Sequence, residues 1–173
     1  MASSFPNAMN RTAILSPARE RATIRYSKLY NQHSHRIYSL AFWMTDNELV
    51  AGELASRTFL RAFSGPASPG IEEIDEAFLV EVRDITPIGC LSLNVAAIPR
   101  TGSIRGNVKR IHLERAVVQL PATERLIFLL HDVEGYGHER IGHLLGLTVE
   151  ESQLGLHQAR VSIRQGLAAI ATI

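Results

Sequence analysis

The chain has 173 residues, 46% of them apolar, and its 18 Lys/Arg against 17 Asp/Glu leave a formal charge of +1. That balance excludes disorder along the whole chain, fits one domain or two small ones, and argues against a tight nonspecific polyanion binder, which carries a larger basic excess. Apolar runs such as 126–130 and 167–171 fall far short of the roughly 20 residues a membrane helix needs. Residues 1–6, followed by Asn7 and Asn10, lack the layout of a secretory signal, and the single Cys90 has no internal disulfide partner. The expectation is a cytoplasmic protein without membrane contact.

From residue 19 to 63 apolar residues recur at helical spacing: Ile24, Leu29, Ile37, Leu40, Ala41 and Met44, then Leu49, Leu54, Phe59, Ala62 and Phe63. The pattern predicts two or three helices with a turn and cap at Asp46 and Asn47. Trp43, between Phe42 and Met44, reads as core rather than as a base-stacking platform, and Phe59 and Phe63 as a packing pair. The stretch 64–70, with Gly65, Pro66, Pro69 and Gly70, cannot continue a helix. Ile71, Ile74, Ala77, Phe78 and Val82 predict an amphipathic helix over 71–83, stopped before Pro87, and residues 88–98 fit either helix or strand. Pro99, Gly102, Ser103 and Gly106 mark an exposed linker, assigned to 99–110. Four helical stretches follow at 111–120, 122–133, 138–145 and 149–170.

The charge is uneven along this order. Residues 1–63 hold eight basic groups against four acids, residues 64–98 hold Arg83 alone against six acids, and residues 99–173 hold nine against seven. The acidic block reads as a spacer, a protein-facing surface or a solvated helix face. Arg57 and Arg61 form either an exposed basic strip or, through Glu53 four residues before Arg57, a helix-stabilising pair.

The turn Gly146-Leu147-Thr148 is the most informative in the chain. Gly146 can adopt the left-handed conformation that closes a helix, and Thr148 with Glu151 forms a capping box that opens the next. A short helix, a three-residue turn and a long helix make a helix-turn-helix, whose second helix can enter a DNA major groove. The expected fold is therefore all-α: two small helical domains, 1–98 and 111–173, joined by a linker, the second a helix-turn-helix.

The residues of this region also resemble a known family. Leu120-Pro121, Glu124-Arg125, the run 126–136, then Glu139, Ile141, Leu144 to Leu147, Leu156-His157 and Ala159-Arg160 are similar to region four of bacterial sigma factors of the extracytoplasmic-function (ECF) type. More loosely, Leu29-Tyr30, Arg36 to Tyr38, 51–54 and 58–63 resemble region two, the helical domain that grips core RNA polymerase. The resemblance implies a sigma factor without catalysis or cofactor. Its partners are core RNA polymerase and promoter DNA, and it raises a separate inhibitor that clamps the two domains as a third. It places polymerase contact on Glu53, Leu54, Arg57 and Phe59, and DNA contact on Thr148, Gln153, His157, Gln158, Arg160 and Arg164.

The departures are specific. The stretch that melts the upstream promoter element is basic and aromatic in the family, and here it is the acidic 72–84 segment with Phe78 as its sole aromatic. The recognition helix carries Gln153, Gly155 and Gln158 where the family offers lysine and arginines, and Gly155 reads as a helix interior cost of about 1 kcal/mol without a contact. These departures support a second reading, a sigma-derived interaction module that has lost promoter recognition. A metal enzyme is a remote third, because His138 and His143 lie five apart, about 500° round a helix, and no cysteine accompanies them.

Overall fold

The computed structural model describes residues 17–65, 69–92 and 109–170, and every regular element among them is helical. Most of the expected linker, 99–108, lies outside the described residues, as do 93–98 and the centre of the Pro/Gly turn at 66–68.

The 19–63 pattern resolves into two helices, α1 (Pro17–Thr45) and α2 (Glu48–Ser64). Between them Asp46 takes a left-handed φ of 51°, which a short polar side chain tolerates, and Asn47 caps α2 by accepting the N–H of Leu49 at 3.0 Å and of Val50 at 3.1 Å. So short a turn forces an antiparallel hairpin. Its register shows in the rings: Tyr26 stacks on Phe63 at 4.8 Å and Tyr30 meets Phe59 edge-on at 4.9 Å. Phe59 also tilts against Phe63 at 5.7 Å, as a packing pair should. Leu54, Phe59 and Ala62 are buried, whereas Ile24 and Leu49, members of the same apolar series, are exposed.

Helix α3 (Ile71–Ile85) packs Ile74, Ala77, Phe78 and Val82 inward, as the spacing predicts. The Gly70 N–H donates to Glu73 Oε2 at 2.7 Å and holds that carboxyl below its usual range. The acidity of this block has an internal use. Glu81 is 3% exposed and lies between Arg57 and Arg61, each Nε at 2.6 Å, and Arg57 also reaches Asp84 at 3.2 Å. Arg57 and Arg61 are thus neither a free strip nor partners of Glu53. They are counter-ions to a carboxylate that α2–α3 packing buries, and such a carboxylate requires cations.

After α3 the chain is irregular, so residues 88–92 are neither helix nor strand. They run along the second half: the Gly89 N–H donates to Thr123 Oγ1 at 3.2 Å, and Ser92 gives its N–H and hydroxyl to Glu124 Oε1 at 2.7 and 2.5 Å. That half comprises α4 (Arg110–Val118), α5 (Ala122–Phe128), which widens into a π-helical turn (Leu129–Val133), α6 (His138–Leu145) and α7 (Val149–Ile170). Because α4 starts at Arg110, the last position assigned to the linker is helical.

The two halves meet along a polar seam. Asp75, 4% exposed on α3, accepts from Arg36 of α1 at 2.6 Å, from the Tyr136 hydroxyl at 2.7 Å and from Arg140 of α6 at 2.8 Å. Arg36 also donates to the Tyr136 oxygen at 3.0 Å, and the Arg140 guanidinium lies 4.0 Å over the Tyr136 ring. Burial first, then the bond to Asp75, pushes the Tyr136 phenol up to about 12. Elsewhere Arg125 donates to the carbonyls of Trp43 at 3.3 Å, Met44 at 3.2 Å, Leu120 at 2.8 Å and Val118, so the end of α1 is tied to the start of the second half. Beside it, Tyr38, Phe42 and Trp43 of α1 face Arg110, Ile111 and Arg115 of α4 across a groove of about 870 Å³. Trp43 is half-buried, packed on the core and edge-on to Phe42 at 6.4 Å.

Removing one member of a buried, multiply bonded charge cluster leaves the others desolvated. Asp75→Ala is therefore expected to lower the unfolding free energy by about 3–5 kcal/mol, measured by urea titration followed by circular dichroism.

Candidate nucleic-acid interface

The α6–turn–α7 corner is built from local chemistry. Gly146 closes α6 at φ 73°, ψ 34°, with its N–H on the Gly142 carbonyl, which also accepts the Leu147 N–H at 2.9 Å. Thr148 and Glu151 cap α7 reciprocally: the Thr148 N–H meets Glu151 Oε2 at 2.8 Å, and the Glu151 N–H meets Thr148 Oγ1 at 3.1 Å. A third residue makes the corner possible. A Cβ at Gly142 would lie 2.6 Å from the Leu147 carbonyl oxygen, so only glycine lets the chain double back this tightly. Sequence reasoning passed over Gly142; the one signal was a glycine inside a short helical pattern.

Inward, α7 buries Ser152, Gly155, Leu156, Ala159 and Ile163. Ser152 Oγ lies 2.9 Å from His138 Nδ1, fastening the start of α6 to α7, and His138 stacks on His131 at 4.7 Å. Gly155 belongs to this inner face. An added Cβ would meet Ile127 Cδ1 at 2.5 Å and Leu91 Cδ2 at 2.8 Å, so the glycine admits α5 and the 88–92 segment and does not lie on the exposed side of the helix. The absence of a contact expected at 155 is thereby corrected: the contact is internal.

Outward, α7 exposes Glu150, Gln153, Leu154, His157, Arg160 and Arg164, with Thr148 exposed at the cap. Of the six positions expected to touch DNA, Thr148, Gln153, His157, Arg160 and Arg164 are on this exposed side. Gln158 is not. Lying five positions after Gln153, about 140° round the helix, it lines a cavity with Ser92 and Glu124, and its Oε1 is buried. Arg160 is already engaged, clamping Asp132 through Nε at 3.0 Å and NH2 at 2.6 Å. That clamp, helped by His131, holds the Asp132 carboxyl below its usual range.

The positions expected to touch polymerase separate by burial. Glu53 and Arg57 are exposed on α2, while Leu54 and Phe59 are 3% and 4% exposed and lie in the core. What α2 shows to solvent beside Glu53 is Leu49, 86% exposed, and Leu60, 68% exposed. Leu49, Glu53, Ser56 and Leu60 follow helical spacing along one outer face. Among the described residues no cluster of three or more His, Cys, Asp or Glu side chains is arranged to hold a metal ion, and no helix is long and apolar enough to cross a membrane.

Residues 110–163 match the family model for sigma-70, region 4. Over 178 aligned positions the chain is 28% identical to the ECF RNA polymerase sigma factor SigE of Mycolicibacterium smegmatis, an alignment that covers 91% of this chain and 67% of that protein. Over most of its length the chain is similar to an ECF sigma factor, and over 110–163 to sigma-70 region 4. The region 4 match begins where α4 begins and ends at buried Ile163 of α7, so it contains α6, the turn and most of α7.

Two outcomes follow for the α6–turn–α7 corner. Gly142→Ala drives a Cβ into backbone that cannot yield, and a loss of about 1–3 kcal/mol is expected in thermal or urea unfolding. Burial first, then His131 and Arg160, lowers His138 below its ordinary 6.5, and burial with Arg36 lowers His33 likewise. The unfolded chain then takes up those protons first, so stability is full above about pH 6.5 and declines as pH falls below it. The decline should be shallower in His138→Gln, read from melting temperatures across pH 5–8.

Proposed function

We propose that this chain is a sigma-like transcription initiation factor of two helical units, 1–98 and 111–173 joined through 99–110, that binds core RNA polymerase and directs it to promoter DNA. The observation that carries the reading is the α6–α7 corner, whose glycine closure, capping box and buried inner face fix which side of α7 is turned outward. In a helix-turn-helix that side enters the major groove. Polymerase contact falls on the outer face of α2, through exposed Glu53 and Arg57 with Leu49 and Leu60, while Leu54 and Phe59 support that face from within. An inhibitor that clamps both units belongs to the same reading, and its footprint would cross the Asp75 seam.

One observation favours the second reading, a regulatory module without promoter recognition. The outward face of α7 has no lysine or arginine before Arg160, and Arg160 is committed to Asp132. Titration of the full chain against core polymerase, followed by DNA binding across a salt series, separates the two. Salt-sensitive, sequence-selective binding by the polymerase complex supports the initiation factor; polymerase binding without selectivity supports the module. Arg164→Ala is expected to lower the slope of log affinity against log salt by about one unit, and an unchanged slope removes Arg164 from the phosphate contacts.

A further inference from the structure

The outward face of α7 has a chemistry that restricts what it can read. Resting on the proposed DNA-binding role, the residues nearest the helix start are the ones that reach base edges, and here they are Glu150, Gln153, Leu154 and His157. Guanine is recognised in the major groove by a guanidinium or ammonium spanning O6 and N7, and no such group occurs on this stretch. Glu150 supplies acceptors alone. His157 supplies one ring N–H to a purine N7, an atom that adenine and guanine share, and so does not discriminate between them.

Gln153 and Leu154 do discriminate. A glutamine amide both donates to adenine N7 and accepts from adenine N6, and an apolar side chain favours the thymine methyl. Leu154 is 48% exposed at the centre of the face, with Gln153 beside it and His157 one turn on. The buried inner face prevents α7 from rotating Leu154 out of this position: Gly155 is pinned against Ile127 and Leu91, and Ser152 against His138. The cations lie further along, Arg160 about 9 Å and Arg164 about 15 Å beyond Leu154, at phosphate rather than base-edge positions.

We infer that Gln153 and Leu154 together read an A·T step, Gln153 taking the adenine edge and Leu154 the methyl of an adjoining thymine, so that Leu154 is a specificity residue of this helix.

The test uses the full chain, alone and with core polymerase, to select duplexes from a randomised pool. Each thymine of the selected site is then replaced by deoxyuridine, which removes the methyl group and leaves the pairing edge. The selected site is expected to contain an A·T step at which one deoxyuridine weakens the wild-type protein about fourfold, the equivalent of one buried methyl group. The same replacement should leave Leu154→Ala unaffected, while Leu154→Met retains the sensitivity. Gln153→Ala should lose roughly fivefold to 150-fold of its preference for adenine over guanine at the partner position. Both side chains are exposed, so circular dichroism spectra and melting temperatures should match the wild type. Selective binding to a G·C step, or wild-type binding indifferent to every deoxyuridine, overturns the inference and leaves the DNA-binding role standing. Absence of salt-sensitive, selective binding in both states overturns that role, and the inference with it.

Discussion

The carboxylate of Asp75 organises the molecule because three donors from three parts of the chain converge on it. Arg36 comes from the long first helix, Tyr136 from the loop after the π-helical turn, and Arg140 from α6, the helix before the corner. A carboxylate 4% exposed is tolerable only with such partners, and the partners are in turn held by it. Asp75 acts against the desolvation that would lower the Arg36 pKa and raises it overall. The result is a contact between halves that rests on directional bonds, where a purely apolar seam would tolerate sliding. Arg83 on the Leu144 carbonyl and Arg125 on the Trp43 and Met44 carbonyls extend the same principle. Interfaces this polar resemble those between domains that separate and rejoin.

The same chemistry explains why the 72–84 segment is so acidic. Two of its six acids, Asp75 and Glu81, are buried and neutralised from within by arginines of α1, α2 and α6. The segment is therefore less a repulsive surface than a pair of internal anchors with Glu72 and Glu76 left to solvent. Arg57 and Arg61, which in isolation read as an exposed basic strip, are partly spent on this anchoring. An amphipathic helix can be acidic for reasons of packing alone.

What could be read from sequence follows the range of the interactions. The helix-turn-helix corner was legible because Gly146, Thr148 and Glu151 act within three or four residues of one another, and the Asp46-Asn47 turn was legible for the same reason. The inward faces of α2 and α3 followed from periodicity. Asp75, whose partners lie 39, 61 and 65 positions away, left no local trace. Nor did Gly155, whose meaning depends on Leu91 and Ile127 arriving from elsewhere. Leu49 and Ile24 show the converse: a stripe of apolar residues establishes a helix but does not determine where its buried face ends.

The single tryptophan of the chain is placed where this architecture would register change. Trp43 lies at the end of α1, its carbonyl held by Arg125 and its ring on the groove opposite α4. Separating the halves would strip away that guanidinium and open the groove to water, altering the polarity around the indole. The molecule thus carries its own optical gauge of how far its two halves are joined, one that needs no label and no partner to be read.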